Sequence, residues 1–145
     1  ETGPVRALEN VYRPLSVLMR TTLETIGSEE TVATAAKQMA EKRIGALFVI
    51  EAGEMVGIVT ESDLVRKGLA YQLDATVIRV GSLMNSPLLD IDINRTIRDA
   101  SDLMAKKRVR HLAVTENAEI VGVLSIRDLV KMVSARDRPE FLRRV

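Results

Sequence analysis

The sequence predicts an α+β fold of two β-α-β-β-α repeats packed with pseudo-twofold symmetry, and three observations lead to it. An octapeptide returns: residues 57–64, GIVTESDL, reappear sixty-five positions later as residues 122–129, GVLSIRDL. The offset then holds well beyond the octapeptide. Residues 18–69 align with 83–134 without a gap, and nineteen of the fifty-two positions are identical, where unrelated segments match at only a few. Within each copy, short apolar runs of strand length are interrupted by one long stripe of helical period.

Composition bounds what such a fold can do. The chain has 145 residues, long enough for one ordinary domain or two small units sharing a core. Its 46% apolar content includes only two Phe, two Tyr and no Trp, so the core is aliphatic. The absence of cysteine removes disulfides, thiolate metal sites and a Cys nucleophile, and accords with an expected cytoplasmic location. The 21 basic and 20 acidic residues are mixed along the chain, which argues against nucleic acid as a partner, since that calls for a basic excess on one face. No apolar run approaches bilayer length, so no membrane span is expected.

Residues 1–14 read as a lead-in closed by Pro14, followed by the apolar run 15–19, which is expected to pack on the body. Residues 22–26 are predicted as a strand and 27–30 as a turn. From Thr31 a helix follows, with Val32, Ala35, Ala36, Met39 and Ala40 as its buried face. Residues 47–50 and 55–59 form a predicted hairpin around Ala52-Gly53. Thr60 then opens a second helix, with Leu64, Val65 and Leu69 as its apolar face. The first repeat thus spans 15–70, and 71–80 reads as a linker. The second repeat, 81–134, carries a strand at 88–92, a helix at 96–108, a hairpin of 111–115 with 120–124 around Asn117-Ala118, and a helix at 126–133. A basic tail, 135–145, with Arg136, Arg138, Arg143 and Arg144, reads as a solvated or partner-contacting extension.

Both copies of the octapeptide have the spacing of a capping box. In Thr60-Glu61-Ser62-Asp63 the hydroxyl accepts from the third helical amide while the aspartate accepts from the Thr60 amide, and Ser125 with Asp128 fits the same pattern. Such a box contributes about 1 kcal/mol and accounts for the spacing without any ligand. Thr96 and Asp99 share the spacing at the start of the other helix, where capping is the whole expectation.

The tandem units, each ending in glycine, two apolar residues, Ser or Thr, two spacers, Asp and Leu, resemble the CBS domain pair, or Bateman module. The matching stretches are VGIVTESDLV and VGVLSIRDLV, the helices TVATAAKQMAEKRIG and TIRDASDLMAKKRVR, and the strands ALFVI and HLAVT. The resemblance covers residues 15–134, nearly the whole chain. It implies tandem CBS domains that pack through their sheets, bind adenosine-containing ligands in two clefts, associate as a homodimer and regulate an effector protein. An adenine nucleotide, AMP, ADP or ATP, is then the expected regulatory ligand, with no obligatory cofactor and no enzymatic activity. A carboxylate can accept both hydroxyls of a ribose cis-diol, and a neighbouring hydroxyl at a helix start suits a polar or phosphate group.

Carried over by position, the resemblance groups Thr60 and Asp63 with Val109, Arg110 and His111 in one cleft. It groups Ser125 and Asp128 with Ile44, Gly45 and Ala46 in the other. Arg110 offers a planar fork for phosphate and His111, the single histidine, a further donor, whereas Gly45 and Ala46 offer backbone and space. The first cleft is therefore expected to be the stronger site for a phosphorylated ligand. The alternative function is a ligand-free dimerisation scaffold in which both motifs only cap helices. One histidine without cysteine does not make a typical zinc site, and neither a phosphate-binding P-loop nor a nucleophile elbow is present.

Overall fold

The computed structural model describes residues 12–137. They fall into two compact units. One is Leu23–Leu89; the other joins the described residues up to Thr22 to those from Asp90 onward. The sequence repeats and the folded units therefore have different boundaries. The segment that leads the first repeat folds with the second, and the segment that leads the second repeat folds with the first.

In the unit Leu23–Leu89, β1 (Thr25–Gly27) runs parallel to β2 (Ala46–Glu51), which pairs antiparallel with β3 (Glu54–Thr60). The hairpin turns at Ala52 and Gly53, both with positive φ (52° and 80°), the backbone that matches the twist of the flanking strands. Between β1 and β2 lies α1 (Val32–Lys42). It starts at Thr31, whose side chain accepts from the Thr34 amide, and ends at Arg43 in the left-handed conformation. Val32, Ala35 and Met39 are buried with Ile26, Leu47, Val49, Val59, Val80 and Leu83. This set joins one face of the sheet to one stripe of the helix, as the aliphatic composition requires.

The other unit repeats this design with β4 (Asp90–Asp92), α4 (Ile97–Lys107), β5 (His111–Glu116) and β6 (Glu119–Ser125), in the sheet order β4-β5-β6. The equivalent positions Ile91, Ile97, Ala100, Met104, Leu112, Val114 and Leu124 are buried. Leu15, at the head of a short 3-10 turn, is fully buried, while Val17 of the same apolar run stays exposed.

Several expectations need correction. Ala36 and Ala40 of α1 are exposed, because the helix buries a narrower stripe than its alanines suggest. The helix after Thr60 is not continuous. A single α-turn, α2 (Glu61–Asp63), gives way to a π-turn (Leu64–Gly68) and a 3-10 turn (Leu69–Tyr71). Its supposed apolar face is half open, with Val65 and Leu69 at 55% and 69% exposure. The interval 71–80 is followed by a short helix absent from the predicted elements, α3 (Val80–Leu83), whose Val80 and Leu83 belong to the core. Finally, α5 (Ile126–Asp137) runs on through Ser134 and Arg136, so the tail begins later than expected. Arg138, Arg143 and Arg144 lie outside the described residues.

Candidate functional site

Each unit brings its own motif to the end of its central hairpin. Ala46 pairs with Thr60 across β2 and β3, and His111 pairs with Ser125 across β5 and β6. The residues just ahead of these strands also bond to the motif: the Glu61 N–H donates to the Gly45 carbonyl (3.0 Å) and the Ile126 N–H to the Arg110 carbonyl (2.8 Å). Within one unit the structure thus gathers Ile44, Gly45, Ala46, Thr60 and Asp63; within the other it gathers Val109, Arg110, His111, Ser125 and Asp128. The strand starts differ in charge. Arg110 is exposed, whereas a Cβ at Gly45 would lie 3.2 Å from the Glu61 carboxylate, which covers that position.

Asp63 and Asp128 are the only buried charged residues among the described ones, at 7% and 8% exposure. A buried carboxylate needs partners, and both find them in the capping geometry the spacing predicted. Thr60 donates its N–H (2.9 Å) and its hydroxyl (3.0 Å) to Asp63 Oδ2, while its Oγ1 accepts from the Asp63 amide (3.2 Å). Ser125 donates its hydroxyl (2.8 Å) and its N–H (3.4 Å) to Asp128 Oδ2, and its Oγ accepts from the Asp128 amide (3.2 Å).

Beyond the capping box the two carboxylates diverge, through residues that sequence reasoning missed. Asn85 Nδ2 donates to Asp63 Oδ2 at 2.8 Å. The Lys67 ammonium sits 3.2 Å from Asp63 Oδ1 and also donates to Asn85 Oδ1 (2.9 Å) and to the Leu83 carbonyl (3.1 Å). Asp128 instead meets Arg20, whose Nη2 stands 3.4 Å from Oδ1. Arg20 and Asn85 occupy equivalent places: each follows a Leu-Met pair, Leu18-Met19 and Leu83-Met84, at the sixty-five-residue offset, and that alignment was the available signal. At position 132 the second repeat has Met where the first has Lys67.

The same two residues add an edge bridge to each hairpin. Arg20 exchanges both backbone hydrogen bonds with Val123, and Asn85 does so with Ile58. This close approach accounts for the motif's glycine. A Cβ on Gly57 would meet the Asn85 carbonyl oxygen at 2.5 Å, and one on Gly122 would meet Met19 Sδ at 2.9 Å and the Arg20 carbonyl oxygen at 3.0 Å.

A separate groove of about 430 Å³ lies in the unit Leu23–Leu89, lined by Ala36, Ala40, Leu64, Val65, Leu69 and neighbouring apolar residues. Neither Thr60 nor Asp63 lines it. Among the described residues no three His, Cys, Asp or Glu side chains gather as a metal-binding group, and no helix is long and apolar enough to cross a membrane.

The repeated sheet, the bridged hairpin and the hydroxyl-aspartate corner have a known counterpart. The CBS-domain family model matches residues 15–70 and again residues 80–135. The chain belongs to the CBS-domain family. It is a CBS pair, a regulatory module built of two tandem repeats of three strands plus helices. The mitochondrial CBS domain-containing protein CBSX3 of Arabidopsis thaliana is 31% identical over 121 residues, 80% of this chain. The chain spans 59% of that relative's length. The CBS domain-containing protein YhcV of Bacillus subtilis is 30% identical over 111 residues, covering 77% of this chain and 79% of that protein. Among solved structures, the hexameric CBS-CP12 protein from bloom-forming cyanobacteria superposes with a TM-score of 0.78 at 29% identity, covering 88% of this chain and 75% of that one.

Proposed function

We propose that this CBS pair is a non-enzymatic regulatory module that binds an adenosine-containing ligand, AMP, ADP, ATP or a related adenosyl compound, and signals to an effector protein through a change of shape or of dimerisation. The observation that carries the reading is the pair of buried aspartates, alike in burial and capping and each beside the start of its own hairpin. Their carboxylates suit a ribose diol. The strand starts at 44–46 and 109–111 complete the proposed ligand set, with Arg110 and His111 as donors toward phosphate. Ligand binding shifts the module only by as much as affinity differs between its two states.

A thermal-shift panel of AMP, ADP, ATP, NAD(H) and S-adenosylmethionine tests this. A ligand at 100 times its Kd stabilises by about 2.7 kcal/mol, a rise of several degrees for a chain of this size. The expected result is such a rise with at least one compound, lost when both aspartates are replaced by Asn. No rise at millimolar concentration with any of them contradicts it.

The scaffold reading has its own observation in favour: Asp63 accepts from Thr60 and Asn85 and pairs with Lys67, so capping and packing already satisfy it. Self-association fits either reading. We assign the exposed Val65 and Leu69, which line the apolar groove, to a contact with a second copy, as suits a relative of a hexameric CBS protein. Sedimentation of the Val65→Asp/Leu69→Asp variant checks this: it is expected to move toward the monomer, and an unchanged oligomer would exclude these residues from the contact.

A further inference from the structure

We propose that Lys106, Lys107 and Arg108, together with Arg110, form a docking surface for an acidic segment of a partner protein, and that a phosphorylated ligand at the strand start 109–111 weakens that docking. The surface stands on charge and placement alone; its coupling to ligand rests on the adenosine reading above.

The four cations lie at the last turn of α4, its C-cap and the entry to β5. All four are exposed. None forms an ion pair among the described residues, whereas Arg20, Lys42, Lys67, Arg79, Arg95 and Arg98 each meet a carboxylate. The helix end accounts for part of this, since cations near a C-terminus suit its dipole. The matched corner of the other unit shows how little charge that requires. There the positions sixty-five residues earlier are Glu41, Lys42, Arg43 and Gly45, and Lys42 is held by Glu24 at 2.7 Å. Leu89 stands at the position equivalent to Glu24, so Lys107 has no such acid, and Asp90, next in the chain, forms no ion pair with any of the four. Two acids balance two bases at the first corner; at the second the same positions hold four bases and no acid.

Four cations held together repel one another, and an anionic partner relieves that repulsion. The partner's chemistry follows from what the surface lacks. Tyr12 is the only aromatic among the described residues of this unit and lies in the lead-in, so no side chain of the cluster can stack a base. The one apolar residue within it, Val109, is half-buried and offers nothing to insert into a bilayer. The cluster also occupies a short stretch of chain, the footprint of a few carboxylates rather than of a long phosphate backbone. An acidic peptide fits these conditions. Arg110 and His111 are also the donors assigned toward phosphate, and the Arg110 carbonyl holds the Ile126 N–H at the start of α5 (2.8 Å). A phosphate bound there brings negative charge to the same stretch and repels a second anion. Linkage then requires the acidic partner to weaken the phosphorylated ligand by the same factor. A neutral nucleoside carries no such charge and leaves the partner bound.

Fluorescence anisotropy of a labelled decaglutamate peptide against the full chain tests the surface. The wild type is expected to bind it saturably, and more weakly as salt rises. Lys106→Gln/Lys107→Gln/Arg108→Gln is expected to weaken it about tenfold, the loss of three exposed ion pairs, with an unchanged circular dichroism spectrum. Lys37→Gln/Arg43→Gln/Arg66→Gln removes three exposed cations from the other unit and so matches the change in net charge. It is expected to leave the affinity within about twofold. Equal loss in both variants, or no binding by the wild type, overturns the surface, and so does tighter binding of an oligouridylate of equal length. Saturating AMP is expected to weaken the peptide several-fold in the wild type, and adenosine to leave it unchanged. AMP that binds by calorimetry yet leaves the peptide affinity unchanged overturns the coupling. Peptide binding by a chain that takes up no AMP contradicts the adenosine reading and the coupling with it, while supporting the surface.

Discussion

At the scale of single residues, the motif glycines show how a sequence signature can be read correctly and still be misunderstood. Gly57 and Gly122 were legible as repeated positions, yet their reason is a backbone that crosses them. That backbone comes from Asn85 and Arg20, and no pattern within the octapeptide points to it. Replacing Gly57 by Ala forces a Cβ against the Asn85 carbonyl oxygen, which the Ile58 amide holds in place, and is expected to cost about 1–3 kcal/mol. Gly122→Ala is expected to cost less, because the thioether of Met19 can yield and the carbonyl is farther away. Urea unfolding of the two variants checks the order. Asp99 supplies a pH test at the same scale. The backbone N–H of Thr96 holds its carboxyl below the ordinary aspartate range; burial opposes it, and the Thr96 hydroxyl and Arg95 add to the lowering. The folded-state value is the lower one, so the contribution to stability is present above the unfolded value and fades as pH falls through the folded value. Asp99→Asn is expected to make stability less sensitive to pH across that acidic window, as read from melting temperatures between neutral and acidic pH.

At the scale of elements, the strands, the hairpins and the two long helices were legible because period and turn chemistry agree there. The caps were legible too: the Thr96 and Asp99 spacing is a reciprocal capping box. What periodicity could not distinguish is an apolar stripe that faces the core from one that faces outward. Leu64, Val65 and Leu69 keep a helical spacing, but the chain passes through a π-turn and a 3-10 turn around Gly68, and two of the three stay open to solvent. Both long helices end on an arginine in the left-handed conformation, Arg43 with φ 55° and Arg108 with φ 57°. A side chain there is strained where glycine is not. Arg108→Gly is therefore expected to stabilise the protein by about 0.5 kcal/mol, despite the loss of a basic residue near the helix end. Chemical denaturation checks it, and a destabilisation would mean that the Arg108 side chain makes a contact outweighing the strain.

At the scale of the molecule, the repeat was visible in the offset but its exchange of segments was not. An alignment establishes that residues 18–20 and 83–85 are the same element; it carries no information on whose sheet each one joins. In the fold Arg20 bridges β6 and Asn85 bridges β3, so each repeat's leading segment finishes the other's hairpin. Removing residues 1–20 is accordingly expected to accelerate hydrogen exchange at the Val123 amide, which donates to the Arg20 carbonyl. The Ile58 amide, which donates to the Asn85 carbonyl, is expected to stay protected. Equal exchange at both, or protection retained at Val123, would contradict the assignment of that segment.

The exchange of segments also bears on function, since it puts Arg20 beside Asp128 and Asn85 beside Asp63 and so makes two near-identical motifs unequal. The central claim is that the buried aspartates serve an adenosine ligand as well as a helix start. Equilibrium dialysis of AMP against the wild-type chain and against the Asp63→Asn/Asp128→Asn variant tests it most directly. The account predicts saturable uptake by the wild type that disappears in a folded double variant. Absence of uptake by the wild type, or equal uptake by both, would contradict it.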